Sequence, residues 1–275
     1  MADPRIVHGL PLTLNLSVFF RSLPVLERPR AAARAGFRHV EMWWPFDEPE
    51  PAAADVDRLL RTLDDEGLEL TGLNFFAGDL AGSDRGVLSL PDRVGEFKAN
   101  VPVTTEIAER TGCRILNALL GNGSRELSIE AQREQALTSL HEAAESAARS
   151  GARVVVEPLN PIDFPRYLAT TTGAAVNLVR EASDAGADIG VLYDVFHMQR
   201  SEGRLIETVR EHVEWLGHVQ IADVPTRNEP GTGEIAFERF LPALRASGYE
   251  GWIGLEYQPS EDPASSLRWI EEMGP

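Results

Sequence analysis

Arg149-Ser150-Gly151-Ala152-Arg153-Val154-Val155-Val156-Glu157 reads as the end of a helix, a stop, and a buried strand that finishes on an acid. The glycine suits the left-handed residue just past a helix, and the valine run suits a strand covered on both faces. The pattern recurs outward from this stretch. Arg34-Ala35-Gly36-Phe37, Asp65-Glu66-Gly67-Leu68 and Ala246-Ser247-Gly248-Tyr249 repeat helix, stop, strand, and Gly112, Gly186 and Gly217 hold equivalent places. Strands alternating with helices at a period of roughly 30 to 45 residues predict βα units and a parallel sheet.

Eight strands are predicted, near residues 12–17, 38–42, 68–74, 114–118, 153–157, 189–194, 218–222 and 251–256, with a closing helix near 263–272. Eight such units close into a barrel, and 275 residues with 43% hydrophobic content suit one α/β domain over residues 1–275, a single (β/α)8 barrel. Longer loops follow strands near 75–92, 158–171 and 223–235, where they would cover the catalytic face. The segment Pro45-Phe46-Asp47-Glu48-Pro49-Glu50-Pro51 reads as another surface loop rather than a linker.

Composition narrows the function. A formal net charge of −17 repels phosphate backbones and acidic membranes, so nucleic acid is not expected as a partner, while a small anion held by a local cation is still allowed. The apolar runs are too short for a membrane span, and Met1-Ala2-Asp3-Pro4-Arg5 lacks the apolar core of a signal peptide; the expected compartment is the cytoplasm. The lone Cys113, between a stop glycine and a strand, reads as a packing residue. Exposed loops and the C-terminal helix could form a homo-oligomer face.

The strand ends carry the chemistry. Four apolar runs finish on or include an oxygen side chain: Val156-Glu157, Leu192-Tyr193-Asp194, His218-Val219-Gln220 and Gly254-Leu255-Glu256. Acids and amides at the ends of buried strands need partners, and one divalent cation would satisfy all four. Three carboxylates and an amide oxygen form a hard ligand set that favours Mg²⁺ or Mn²⁺ over zinc. These residues lie on strands 5 to 8 and converge only in a closed barrel. His197, three residues past Asp194, is placed to aim an imidazole at a substrate oxygen. Arg227 either clamps a substrate carboxylate or pairs with Glu229 or Glu234 on its own loop. Asn15, Glu41, Asn74 and Asn117 end strands 1 to 4 and would point into the same mouth, with Glu41, Asn74 and Asn117 expected to touch substrate. Trp43 and Trp44 read equally as walls over the substrate or as helix-packing residues. Pro230-Gly231-Thr232-Gly233 lacks the lysine and glycine fingerprint of a phosphate loop and reads as a shaped turn.

At these residues the chain resembles a known family, the hydroxypyruvate isomerases of the xylose isomerase-like TIM barrel superfamily. The resemblance spans nearly the whole chain and is carried by Asn15-Leu16-Ser17, Gly36-Phe37-Arg38-His39-Val40-Glu41, Glu157-Pro158-Leu159-Asn160, Tyr193-Asp194-Val195-Phe196-His197-Met198, Gly217-His218-Val219-Gln220-Ile221-Ala222-Asp223 and Gly254-Leu255-Glu256-Tyr257. It implies interconversion of hydroxypyruvate and tartronate semialdehyde. Glu157, Asp194, Gln220 and Glu256 would match the family's metal ligands, and Glu157 and Glu256 its acid/base pair. Arg227 or Arg166 would then hold the substrate carboxylate. Leu73, Pro161, Arg166 and Gln258 depart from the family pattern and bear on which acid is the substrate, a 2-oxo-tetronate being the main alternative. A ketose 3-epimerase or dehydratase of the superfamily would not need the arginine clamp, and its DNA-repair endonucleases would need more histidine than the six here.

Overall fold

The computed structural model describes residues 5–274, so the reading of the extreme N-terminus, on Met1–Pro4, lies outside the described residues. Eight parallel strands form the barrel: β1 Leu10–Asn15, β2 His39–Met42, β3 Glu69–Asn74, β4 Ile115–Ala118, β5 Arg153–Val156, β6 Ile189–Asp194, β7 Leu216–Ile221 and β8 Ile253–Leu255. They pair in chain order, and β1 closes on β8 through Leu12↔Ile253, Thr13↔Gly254 and Leu14↔Leu255. The protein is a single (β/α)8 TIM barrel. A feature not foreseen is the short strand Ile6–Val7, which folds back antiparallel on the start of β1.

The stop glycines explain the alternation. Gly36, Gly67, Gly112, Gly151, Gly186 and Gly248 all take positive φ, between 63° and 98°, a backbone region where a side chain is strained. Gly217 departs from the expectation. The turn Val213–Trp215 hands the chain straight to β7, and Gly217 lies inside that strand. It is needed for close approach instead: a Cβ there would come within 2.6 Å of Val155 Cγ1.

Strand 1 is displaced from its expected place, beginning at Leu10 and ending at Asn15. Leu16–Phe19 forms a helical turn because the Asn15 side chain accepts the Ser17 backbone N–H at 3.0 Å. Strand 6 ends the same way. Asp194 caps helix Val195–Ser201, its Oδ1 accepting the Phe196 N–H at 2.8 Å. In both cases the cap uses one atom of the side chain and leaves the other aimed into the barrel mouth. The closing helix runs from Arg268 to Met273 after a 3₁₀ turn over Ser265–Leu267.

Candidate active site

All four acids and amides proposed as ligands are buried at the C-terminal ends of β5 to β8. Glu157 Oε2 accepts from Asn117 Nδ2 at 2.8 Å. Asp194 Oδ2 accepts from Arg227 Nη2 at 2.9 Å, and the same nitrogen donates to Glu256 Oε2. Glu256 Oε1 accepts from Trp43 Nε1 at 2.7 Å and from Asn15 Nδ2 at 3.1 Å. Gln220 gives its amide N–H to Glu41 Oε1 at 2.7 Å and to Glu256 Oε1 at 3.4 Å, and its own Oε1 is buried without a hydrogen-bond partner.

His197 joins this group. Ligand-competent atoms of Glu157, Asp194 and His197 lie within 4.8 Å of one another, with His197 Nε2 at 3.6 Å from Asp194 Oδ2 and 4.0 Å from Glu157 Oε1. The backbone N–H of Asn160 donates to His197 Nδ1 at 3.3 Å, which leaves the ring proton on Nε2, facing the carboxylates. Burial, followed by the nearby charges of Arg227, Arg200 and Arg85, holds this imidazole neutral, well below the usual histidine range. Such a ring is a donor toward the mouth.

Burial and crowding act in the opposite sense on the acids. Desolvation, then Glu256 and Asp194, push Glu157 well above the ordinary carboxyl range. Glu256 is raised to about 8, by burial first, with Arg227 opposing and Asp194 adding to the rise. Asp194 is raised by burial, less strongly because Arg227 and two backbone N–H groups oppose it. A carboxyl group near 8 can both give and take a proton at neutral pH.

A cavity of about 900 Å³ adjoins this group through Trp43 and Arg227, with Ser17, Trp44, Phe46 and Phe76 also on its wall; the acids, Gln220 and His197 lie behind that wall. Trp43 is thus both wall and donor to Glu256, while Trp44 packs on Phe46 with ring centroids 5.3 Å apart. Arg227 reaches the carboxylates from a backbone at φ +59°, and its guanidinium lies 5.0 Å over the Phe196 ring. Its partners are therefore site acids, not Glu229 or Glu234.

Sequence comparison places this geometry. Residues 29–273 match the family model described as xylose isomerase-like TIM barrel. The chain is 43% identical over 262 residues, 94% of each protein, to a Streptomyces coelicolor protein whose name as a hydroxypyruvate isomerase is provisional. It is 35% identical to the hydroxypyruvate isomerase of Escherichia coli, over 95% of this chain and 98% of that one. The chain belongs to the hydroxypyruvate isomerase family. A 2-oxo-tetronate isomerase of Cupriavidus necator is 32% identical over 94% of this chain and 96% of its own. Among solved structures, one from Brucella melitensis titled AP endonuclease, family 2, superposes with a TM-score of 0.86 at 34% identity, covering 96% of this chain and 98% of that one.

The donor set of this family member fits a divalent cation. Glu157, Asp194 and Glu256 carry up to three negative charges, and Arg227 answers one of them. Two uncompensated buried charges are prohibitively costly, so the acids either take up protons or share a cation of charge two. Gln220, whose nitrogen lies 3.4 Å from Glu256 Oε1, adds a neutral oxygen that is buried and without a partner.

The site also differs from what the strand ends suggest. Glu41 is buried and bonded to Asn15 at 3.0 Å, His218 at 2.6 Å and Gln220 at 2.7 Å. Asn117 backs Glu157, and Asn74 lines a small interior chamber with Glu41 and His218. Arg166 is exposed and absent from the cavity wall. His218 and Asn160 were missed. His218 was legible from alternation, since it precedes Gln220 by two residues on one strand and so shares its face.

Proposed function

We propose that this protein is a divalent-metal-dependent isomerase of a small hydroxy-keto acid, interconverting hydroxypyruvate and tartronate semialdehyde. The observation that carries this reading is the group of buried acids at the ends of β5, β6 and β8, which when fully ionised would carry two charges more than Arg227 neutralises. Glu157, Asp194, Gln220 and Glu256 would hold Mg²⁺ or Mn²⁺, the ions suited to a hard oxygen set. Bound there, the ion would polarise the substrate carbonyl and stabilise negative charge building on its oxygens.

The chain's own groups supply the proton transfers. Glu157 and Glu256 form the acid/base pair. One takes the proton from the hydroxymethyl carbon, leaving an enediolate, and the other returns a proton to the neighbouring carbon that carried the ketone, while the proton of the hydroxymethyl oxygen passes to the former ketone oxygen. The elevated proton affinity of both acids suits that exchange. His197, neutral with Nε2–H toward the mouth, donates to a substrate oxygen. Arg227 faces the cavity and can pair its fork with the substrate carboxylate once it leaves Asp194 and Glu256.

A four-carbon 2-oxo-tetronate is the second reading, favoured by the 32% identity to the 2-oxo-tetronate isomerase of Cupriavidus necator. An endonuclease reading is opposed by the charge of −17 and by a site in which, among the described residues, a single imidazole joins the acids. No helix among the described residues is long and apolar enough to cross a membrane, and we assign the reaction to the cytoplasm.

The test is to incubate metal-stripped protein with hydroxypyruvate, with and without Mg²⁺ or Mn²⁺, and follow tartronate semialdehyde by NMR in deuterated water. Metal-dependent product carrying deuterium at the former ketone carbon is expected. No product from hydroxypyruvate or a four-carbon 2-oxo acid with either metal would refute the reading.

A further inference from the structure

We infer that Glu41 and His218 are positioning residues that fix the orientation of the Gln220 amide, holding its nitrogen so that its oxygen is left free to act as a ligand. The inference rests on the metal reading above, because it concerns how Gln220 presents an oxygen to a cation.

An amide side chain is nearly symmetric in shape but not in chemistry. Turned one way it offers a metal an oxygen; turned the other it offers an NH₂ group that cannot ligate. Nothing in the strand itself selects between them. The surroundings do. The Gln220 nitrogen lies 2.7 Å from Glu41 Oε1 and 3.4 Å from Glu256 Oε1. A flipped amide would set its carbonyl oxygen against both carboxylate oxygens, replacing a charge-assisted hydrogen bond by a repulsion. The pair of acceptors holds the nitrogen, and Oε1 is left buried and without a partner.

Glu41 can discriminate only if it is itself immobile. Its Oε2 meets His218 Nε2 at 2.6 Å, and its Oε1 also accepts from Asn15 Nδ2 at 3.0 Å. Both side chains are almost fully buried, at 4% and 2% exposure. The space is carved by glycines on neighbouring strands. A Cβ at Gly254 would come within 2.6 Å of Glu41 Oε1 and 2.8 Å of Gln220 Cγ, and one at Gly72 within 3.3 Å of Glu41 Cβ. With its oxygens held by His218 and Asn15, the Glu41 carboxylate presents a fixed acceptor to the Gln220 amide.

The test is a two-by-two cycle read as Mn²⁺ affinity, by calorimetry on metal-stripped protein, with thermal melting in chelator as the check of folding. Glu41→Met should weaken Mn²⁺ binding at least about tenfold, the range seen when a ligand's outer partner is removed. In the Gln220→Met background the same substitution should change affinity less than about twofold, because no amide is left to orient. Equal losses in both backgrounds would overturn the inference, since Glu41 would then act through charge or packing. So would an unchanged affinity after Glu41→Met alone. If Glu41→Met does not fold, His218→Leu, which frees Glu41 Oε2, runs the same cycle with an expected loss of about threefold confined to the Gln220 background. An unsubstituted protein that binds neither Mn²⁺ nor Mg²⁺ would sink the metal reading and this inference together, whereas intact binding without amide-specific coupling overturns this inference alone.

Discussion

The two halves of the barrel end their strands on the same kind of residue and use them oppositely. On β5, β6 and β8, Glu157, Asp194 and Glu256 crowd one another and are pushed toward protonation. On β1, β2 and β4, Asn15, Glu41 and Asn117 are donors or acceptors that hold the first set still. Position in the βα unit is common to both halves, so position does not set the role. What sets it, on the reading proposed above, is the neighbour: an acid beside acids serves as proton carrier and cation ligand, while an acid beside His218 and two amides serves as a brace.

The largest effect should come from the acidic half. Glu157→Gln and Glu256→Gln should each lower kcat about 10³-fold, the size of a lost general acid or base. Asn117→Ala in the bracing half should instead weaken metal binding about tenfold. Steady-state rates at saturating metal separate the two, and near-normal turnover in both glutamine variants would erase the contrast between the halves.

Next comes the guanidinium that joins β6 to β8. Arg227 and a divalent ion contend for the same oxygens of Asp194 and Glu256. Arg227→Met should therefore tighten Mn²⁺ binding about tenfold, an ordinary coupling between two sites. The same variant should lose about 2 kcal/mol of stability in chelator, below the value for a fully buried pair because the Arg227 side chain is 24% exposed. Titration calorimetry and denaturant melts read the two effects. Unchanged metal affinity would show that the guanidinium does not compete.

The smallest effect is on pH dependence. Glu256 is raised from 4.5 to about 8, so the folded state holds that proton more tightly than the unfolded chain; the stabilisation is complete below pH 4.5 and is lost as pH rises through about 8. His197 is lowered from 6.5, so its contribution is present above 6.5 and lost below it. In chelator the unfolding free energy should consequently fall from about pH 6.5 to about 8, and Glu256→Gln should flatten that fall. A slope untouched by the substitution would assign it to other groups.

Much of this was legible in the chain. Six stop glycines with positive φ punctuate the βα units, and β6 runs over the residues expected of it. The differences come from contacts at long range and, at one strand end, from a local cap. Gly217 looked like another helix stop because its neighbours are apolar, but its role is set by Val155 across the barrel floor. Leu16 to Phe19 carry a strand-like apolar run, and a cap by Asn15 turns them helical. Strand order places Glu41 near the mouth, but that it meets His218 and Gln220 in the space left by Gly72 and Gly254 follows only from other strands.

By itself, then, the sequence determined the alternation of strands and helices, the number of units, and the oxygen side chains that would end β5 to β8. Those are local facts: a glycine past a helix, a buried apolar run and its last residue follow from backbone sterics and desolvation within a few positions. Only the tertiary structure decided that Arg227 lies between Asp194 and Glu256, that Asn160 leaves the His197 proton on the nitrogen facing the acids, and that Glu41 braces Gln220 across 179 residues of chain. Hydrogen-bond polarity and shared charge depend on which groups meet within about 3 Å, and closure of the barrel, not proximity along the chain, brings those groups together.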